Sequence, residues 1–261
     1  MCGIIGCVGR GDVTLETVLH GLEKLEYRGY DSAGVALVDD TLSVYKNAGE
    51  IEDLRAALAD ETLTGEVGIG HTRWSTHGPP TDANAHPHVD CNHDVAVVHN
   101  GIIENYQTLR DELVAAGHTF RSDTDTEVIP HLIEDALADG ASPEAAFRTA
   151  VDRLAGSFAL AAVVAGTEAV FTARHDSPLV LGLDDEATFL ASDVPAFRDF
   201  TDRVVYLDDG EFARLDATGW TVTDAAGNAI EKVVDTVDWD PEETGKSGYD
   251  HFMLKEIHEQ P

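Results

Sequence analysis

The stretch MCGIIGCVG (residues 1–9) places a cysteine directly behind the initiator methionine and then continues as a short apolar segment. Its glycines, and the polar RGD that follows, are typical of a buried strand that ends in a turn. Cys2 is small enough for methionine removal, which would leave a thiol and a free α-amine on one residue. Cys2 is therefore a candidate nucleophile that carries its own base. An inert strand cysteine is the alternative that this stretch leaves open.

Downstream of this strand the chain alternates between the periodicities of helices and strands. Apolar residues recur at helical spacing over residues 13–25, with Asp12 as the predicted N-cap. Four segments predict strands: AGVALVDD, LSVYKN, EVGIGHTR and DVAVVHNG. A short helix is expected after the second of them and a long polar loop after the third. Three further helices are expected over residues 104–117, 124–140 and 142–156, the last with Ser142 as its cap and Pro143 in its first turn.

The C-terminal third changes to short apolar strands, from SFALAAVVA through RVVYLDDGEFARL to WTVTD. Helices in the middle of the chain and strands at both ends predict sheets covered by helices, an α+β architecture. At 261 residues with 43% hydrophobic residues, one large domain is expected over residues 1–233. Residues 234–261 are acidic and turn-like, and they end in an apolar segment that stops. We expect an acidic linker that leads to a further domain.

The charge of the chain excludes some classes of function. It has 49 Asp and Glu against 17 Lys and Arg, a net charge of −32, whereas nucleic-acid binders carry the opposite sign. The acids are spread along the chain, which indicates adaptation to a salty cytoplasm, with an ordinary acidic protein as the alternative. The odd count of three cysteines, the missing secretion signal and the short apolar runs predict a soluble cytoplasmic protein that binds no membrane.

A histidine-rich loop is the first candidate for chemistry. His86, His88, Cys91 and His93 could supply zinc ligands. Their spacing lacks the paired pattern of strong zinc motifs, and polar loop packing explains the same residues. We therefore expect no metal and no cofactor.

Other polar residues fit the recognition of an amide substrate. Arg28 and Arg73 could bind carboxylates with two hydrogen bonds, although either could be an ordinary surface arginine. Asn100-Gly101 ends an apolar strand, and an Asn amide beside a Gly N–H is what an oxyanion hole needs, with a plain turn as the alternative. Asp123 and Asp125 could cap a helix or bind an ammonium group.

Taken together, these motifs resemble a known family over nearly the whole chain. The matching stretches are MCGIIG, LEYRGYDSAG, GHTRWSTHG, NAHPH, VVHNGIIENY, SDTDTEVI, SPLVLGL, ASD and MLKEIHEQP. The chain is similar to the N-terminal glutaminase domains of the glucosamine-6-phosphate synthases, which are class II glutamine amidotransferases of the N-terminal-nucleophile (Ntn) hydrolase type. The resemblance implies a four-layer αββα sandwich and hydrolysis of L-glutamine. In the family, the ammonia passes to a sugar-isomerase domain that makes glucosamine 6-phosphate, a step of amino-sugar biosynthesis. That domain is absent from this chain, and a homodimer would form through it.

The resemblance also assigns roles to residues. Cys2 is the nucleophile, and Asn100 and Gly101 form the oxyanion hole. The expected glutamine-binding residues are Arg73, Trp74, Thr76, His77 and Asp125, with Arg28 as a brace for the first strand. The alternatives that stay open are a glutaminase that serves another acceptor and a non-catalytic, metal-binding or regulatory module.

Overall fold

The computed structural model describes residues 2–59, 61, 63–75 and 78–238. Within these ranges the chain forms five α-helices and fourteen strands. The helices are α1 (Thr14–Lys24), α2 (Ile51–Leu58), α3 (Tyr106–Ala116), α4 (Val128–Ala138) and α5 (Pro143–Val151).

The described strands form two antiparallel sheets. The first sheet contains β1 (Gly3–Val8), β2 (Ser32–Val38), β3 (Leu42–Ala48), β4 (Val67–Arg73), β9 (Val180–Leu183), β10 (Thr188–Ala191), β11 (Arg203–Tyr206) and β14 (Asp235–Thr236), in the order β14-β11-β9-β10-β1-β4-β2-β3. The second contains β5 (His88–Val89), β6 (Val95–Ile103), β7 (Gly156–Val164), β8 (Ala169–His175), β12 (Phe212–Asp216) and β13 (Gly219–Thr223), in the order β13-β12-β8-β7-β6-β5.

Three apolar interfaces stack the elements into four layers. Helices α1 and α2 cover the outer face of the first sheet through residues such as Leu22 and Leu54. The two sheets pack face to face through residues such as Val98. Helices α3, α4 and α5 cover the second sheet through residues such as Ile133 and Phe147. This confirms the predicted α+β fold with a four-layer αββα sandwich.

The period-two geometry of a strand explains why β1 is apolar throughout. Ile4 and Val8 face the second sheet, whereas Ile5 and Cys7 face the layer of α1. Because both faces of the strand are covered, every position must be apolar or glycine. Burial raises the pKa of the Cys7 thiol to about 12, so this cysteine is an inert part of the core.

Local predictions met different outcomes. Ser142 caps α5 as predicted, since its Oγ accepts the N–H of Ala145 at 3.4 Å. The prediction that Asp12 caps α1 is wrong. Asp12 lies in a 3-10 turn over Gly11–Val13, and Val13, which holds the N-cap position of α1, makes no side-chain cap. The segment RVVYLDDGEFARL contains two strands, β11 and β12, with a turn at Asp209-Gly210 between them, and the two strands lie in different sheets.

At the C-terminal side, β14 pairs with β11 and Val237 packs in the core next to the first sheet. The predicted linker therefore begins, in the described residues, as part of the domain surface. Residues 239–261, which hold most of that linker, lie outside the described residues, and the boundary at 233 stays a prediction. None of the helices in the described ranges is long and apolar enough to span a bilayer.

Sheet register brings the N-terminus to the functional site. Gly3 pairs with Thr72 across β1 and β4, so Cys2 lies beside the end of β4 at Arg73. The facing sheet contributes the end of β6, where Asn100 pairs with Ala159 and Gly101 with Phe158.

Candidate active site

The thiol of Cys2 lies against the backbone of Trp74. Its Sγ accepts the Trp74 N–H at 3.3 Å and lies 3.5 Å from the Trp74 carbonyl oxygen, to which the S–H can donate. Burial raises the pKa of this thiol, and the Trp74 N–H and the cationic Arg73 and Arg28 offset that effect only in part. The thiol is therefore protonated near neutral pH. Its use as a nucleophile requires a base.

Two side chains fix the backbone of Cys2. Its carbonyl oxygen accepts Arg28 Nε at 3.1 Å and Asn100 Nδ2 at 3.0 Å. Arg28 is 7% exposed and is held in turn by Asp193, whose Oδ2 lies 2.8 Å from its Nη1. These contacts join the start of β1 to the first 3-10 turn after α1, to the last part of β6 and, through Asp193, to the segment after β10. Three distant parts of the chain therefore fix the position of Cys2.

A buried histidine fixes the orientation of the Asn100 amide. His71 Nε2 lies 3.0 Å from Asn100 Oδ1 and 3.1 Å from the His99 carbonyl oxygen. Both partners are acceptors, so Nε2 carries the proton. Burial lowers the pKa of His71 to about 3, and the ring is neutral. The amide oxygen thus faces His71 and the amide nitrogen faces Cys2, where its second N–H can donate to a ligand.

Gly101 presents its backbone beside that amide. Its φ is +131°, and a Cβ at this position would lie 2.0 Å from the Ser157 carbonyl oxygen. Only glycine fits this conformation and this approach. The residue is exposed although its strand is otherwise largely buried, so the peptide at Asn100-Gly101 is open to a small molecule.

Arg73 is the buried cation of the site. It ends β4, is 4% exposed, and donates to the Gly78 and Pro79 carbonyl oxygens over long distances of 3.4 Å. Burial lowers the pKa of Arg73, while Cys2, Asp31 and Asp125 act on it in the opposite sense. An arginine stays charged under these conditions. A buried guanidinium can take a carboxylate from a ligand through two parallel hydrogen bonds.

Asp125 is the matching anion. It is 5% exposed, and its Oδ2 accepts the Ile103 N–H at 2.8 Å. Ile103 lies two residues after Gly101 on β6, so this hydrogen bond holds Asp125 next to the Asn100-Gly101 peptide. The site therefore has a buried cation, Arg73, and a buried anion, Asp125, and the charge of Asp125 acts on Arg73.

The loop after α1 supports the segment that carries Arg73 and Trp74. Asp31 accepts the Ser75 N–H at 2.7 Å through Oδ2, and its own N–H donates to the Arg73 carbonyl at 3.0 Å. A Cβ on Gly29 would lie 2.5 Å from the Arg73 backbone, so the close approach needs glycine. The Tyr30 ring packs edge-on against Trp74 with ring centroids 5.5 Å apart.

Asn84 connects two loops of the site. Its Nδ2 donates to the Pro79 carbonyl at 3.1 Å, and its Oδ1 accepts the Asp123 N–H at 2.9 Å. The first contact lies on the Arg73 side and the second on the Asp125 side. Because Asn84 is 1% exposed, it acts as a buried tie between the parts that hold the two charged residues.

The histidine-rich loop is divided by the fold. The His86 ring stacks on His71 at 4.2 Å between centroids, and His88 Nε2 lies 3.0 Å from Thr124 Oγ1. Burial keeps the pKa values of His86 and His88 well below the usual range. His93 is exposed, and it contacts Arg121. The four residues first considered as zinc ligands therefore do not face one centre.

Most of the predicted site residues lie around this site. Arg28 and Asn100 donate to the Cys2 carbonyl oxygen, and the charge of Arg73 acts on the Cys2 thiol. Gly101 follows Asn100 on β6, Asp125 accepts the Ile103 N–H on the same strand, and Trp74 is 42% exposed. Thr76 and His77 lie outside the described residues. Four further residues, which the sequence motifs contain but do not single out, shape the site: Asp31, His71, Asn84 and Asp193.

Comparisons with known proteins agree with this geometry. A sequence-family model described as a glutamine amidotransferase domain matches residues 71–199. The chain is 56% identical to a glutamine–fructose-6-phosphate aminotransferase (isomerizing) of Halobacterium salinarum and 51% identical to one of Thermococcus kodakarensis. All of this chain is covered in both, but only 43% and 44% of the relatives, so it spans less than half of their length. A glutamine phosphoribosylpyrophosphate amidotransferase from B. subtilis superposes with a TM-score of 0.74 at 25% identity, over 87% of this chain and 50% of that one.

Proposed function

The chain belongs to the glutamine amidotransferase family, and from this membership and its site we propose that it hydrolyses L-glutamine to glutamate and ammonia through a thioester on Cys2. One observation carries the proposal. The oriented Asn100 amide donates to the Cys2 backbone carbonyl, and the Cys2 thiol interacts electrostatically with the buried cation Arg73, on which the charge of Asp125 also acts.

The first step needs a base for a thiol whose pKa is raised by burial. After removal of Met1, the α-amine of Cys2 supplies it, since an α-amine with an ordinary pKa near 7.7–8.0 is partly neutral at working pH. The amine takes the thiol proton, directly or through a water, and the sulfur attacks the side-chain amide carbon of glutamine. The proton then goes to the leaving nitrogen, so that ammonia departs and a thioester remains. Water hydrolyses the thioester to glutamate and regenerates the thiol.

The negative charge that forms on the amide oxygen requires two donors. The second N–H of Asn100 Nδ2 and the backbone N–H of Gly101 supply them. His71 holds the Asn100 amide in the orientation this requires, because its Nε2–H occupies the amide oxygen. Preorganised donors of this kind are among the largest contributions to acyl-transfer catalysis.

Recognition of glutamine uses the two charges of the amino acid. Arg73 binds the α-carboxylate, and Thr76 and His77 belong to the same loop. Asp125, with the Gly101 carbonyl, binds the α-ammonium group. Trp74 covers the substrate on the route by which ammonia leaves. A zwitterion needs one cation and one anion held apart, and this pair supplies both.

The acceptor of the ammonia is fructose 6-phosphate, and the product is glucosamine 6-phosphate. The relatives at 46–56% identity are named glutamine–fructose-6-phosphate aminotransferase, whereas a phosphoribosylpyrophosphate amidotransferase matches at only 25%. A sugar-isomerase domain, outside this chain, would receive the ammonia and would form the homodimer. A different acceptor with the same glutaminase site is the second candidate, because the proposed site residues bind glutamine and none of them selects the acceptor.

The glutaminase activity is tested with the chain itself and a glutamine-analogue electrophile, 6-diazo-5-oxo-norleucine. We expect release of glutamate from L-glutamine and alkylation of a single thiol, on the N-terminal peptide that begins with Cys2. Cys7 is an internal control, since burial raises its pKa to about 12 and it should stay unlabelled. Cys2→Ala should abolish glutamate release with an unchanged circular dichroism spectrum. Substantial residual activity in that variant, or labelling at another cysteine, would contradict the proposal.

The acceptor is tested separately with the intact gene product. Glutamine labelled with 15N in its amide is supplied together with either fructose 6-phosphate or phosphoribosylpyrophosphate. Transfer of the label to the hexose phosphate supports the sugar acceptor. Transfer to the ribose compound would overturn it and would leave the glutaminase assignment intact.

A further inference from the structure

A second cluster of reactive side chains lies on the helix side of the second sheet. Cys91 follows β5, His118 follows α3, and His131 and Glu134 stand one turn apart on α4. One ligand atom from each residue lies within 4.8 Å of the other three. From this arrangement we propose that Cys91, His118, His131 and Glu134 form a structural zinc site.

The separations between these atoms fit a tetrahedral zinc ion. Cys91 Sγ lies 3.6 Å from Nδ1 of His118 and 3.6 Å from Nδ1 of His131. A zinc ion with ordinary bonds to sulfur and nitrogen at tetrahedral angles places those atoms about 3.6 Å apart. Glu134 Oε2 lies 3.0 Å from His118 Nδ1 and 3.1 Å from His131 Nδ1. Tetrahedral zinc requires about 3.4 Å for such pairs, so the carboxylate moves by only a few tenths of an ångström.

Both imidazoles turn Nδ1 toward the cluster centre. His118 Nε2 lies 2.8 Å from Asp135 Oδ1, so this carboxylate can hold the proton at Nε2 and leave the lone pair of Nδ1 for a metal. His131 Nε2 is buried without a hydrogen-bond partner among the described residues, and Glu127 Oε1 lies 4.0 Å from it.

Burial raises the pKa of the Cys91 thiol, as do the nearby Glu134 and Asp90, whereas the Thr119 N–H, which donates to Sγ at 3.5 Å, lowers it. With no cation present, Nδ1–H of His118 and of His131 can donate to Glu134 Oε2. A divalent ion would take the place of these protons and of the thiol proton. One thiolate, two imidazoles and one carboxylate oxygen favour zinc over the hard cations magnesium and calcium.

The site would act on structure and not on glutamine. With four protein ligands it leaves no open position, as is typical of structural zinc. It fastens the loop between α3 and α4 at both ends, since His118 lies at the start of the loop and His131 in the first turn of α4. Within that loop, Glu127 accepts the N–H groups of Arg121 and Ser122 at 2.7 Å each. No metal was expected from the sequence, in which Cys91 stands close to His86, His88 and His93, because the proposed partners lie 27 to 43 residues away.

The test uses zinc alone as the probe. The wild-type chain is stripped with a chelator, dialysed against zinc chloride and then against metal-free buffer, and its zinc content is measured by elemental analysis. We expect about one zinc ion per chain. The melting temperature should rise when zinc is restored. Cobalt(II) in place of zinc should give the intense visible bands of a tetrahedral site and a thiolate charge-transfer band.

Three variants make the result specific. Cys91→Ser should lose zinc binding and the charge-transfer band, and it is the safer variant because Cys91 is only partly buried. His131→Asn should also lose zinc, with circular dichroism to show that it folds. His93→Asn is the matched control. His93 is exposed in the loop between β5 and β6 that also holds Cys91, and it has φ +63°, which Asn tolerates. Cys2→Ala controls for binding at the N-terminus, and both controls should keep the zinc. A wild-type chain that retains no zinc, or a Cys91→Ser variant that retains all of it, would overturn the proposal, whatever the glutaminase assays show.

Discussion

Mild acid should destabilise this fold through three buried histidines beside the active site. His71, His86 and His88 are 0%, 5% and 2% exposed. Burial lowers the pKa of His71 to about 3 and the pKa values of the other two well below the usual range. In the unfolded chain each titrates with a pKa of about 6.5. The unfolded state therefore binds more protons between pH 6.5 and the folded pKa, so stability is present above pH 6.5 and is lost as the pH falls.

The magnitude depends on the pKa of the unfolded chain, because the folded pKa values lie far below the range tested. Lowering the pH from 7.5 to 5.5 stabilises the unfolded state by about 1.4 kcal/mol for each histidine that stays neutral in the fold. The three rings together give about 4 kcal/mol, which corresponds to about 1.5 protons taken up on unfolding on average over this range and to close to three at pH 5.5. This is a large share of the 5–15 kcal/mol typical of a folded domain.

The assay is urea unfolding between pH 5.5 and 7.5 in 1 M KCl, where the Debye length of about 3 Å removes the effect of changing surface charge. His88→Gln should reduce the change in unfolding free energy between pH 7.5 and pH 5.5 by about 1.4 kcal/mol, or about half a proton on average, whatever its own stability. His175→Gln is the matched control, since the side chain of His175 is 51% exposed, and it should leave the dependence unchanged. A slope below one proton in the wild type would refute the reasoning that these rings are neutral in the fold.

Three further predictions follow from the site and from the charge of the chain. Arg73→Lys should raise the KM for glutamine at least tenfold, about 1.4 kcal/mol, because an ammonium cannot make two parallel hydrogen bonds to a carboxylate. A KM within about twofold of wild type in steady-state assays would show that Arg73 does not bind the α-carboxylate. Asn100→Ala should lower kcat by about 10²–10³, because one oxyanion donor is lost, and a decrease of less than tenfold would count against the proposed oxyanion hole. Because the chain has a net charge of −32, its melting temperature should rise between dilute buffer and molar KCl as the repulsion between like charges is screened. A flat or falling melting temperature in calorimetry would show that the acidic surface is not a salt adaptation.

Some features of the protein were determined by the sequence alone, because they depend on local rules. The apolar run that ends in Cys7 and Val8 predicted a buried strand, and the residues of that run are buried in β1. The Ser142-Pro143 pair predicted the start of α5 for the same local reason. Asn100-Gly101 indicated a special backbone, and the φ of +131° at Gly101 shows one, although β6 does not end there and continues to Ile103. Periodicity, capping and glycine requirements act within a few residues, so a single sequence contains them.

Tertiary structure alone decided the features that join distant residues. The hydrogen bond from His71 orients the Asn100 amide across the two sheets, and no spacing in the sequence encodes which way that amide points. Cys91 meets His131 rather than its neighbour His93, because the packing of α4 on the second sheet brings His131 to it, whereas His93 is turned out to solvent. Such pairs depend on strand register and on how the layers stack. These are set by the summed burial of many side chains across the whole chain and not by any local pattern.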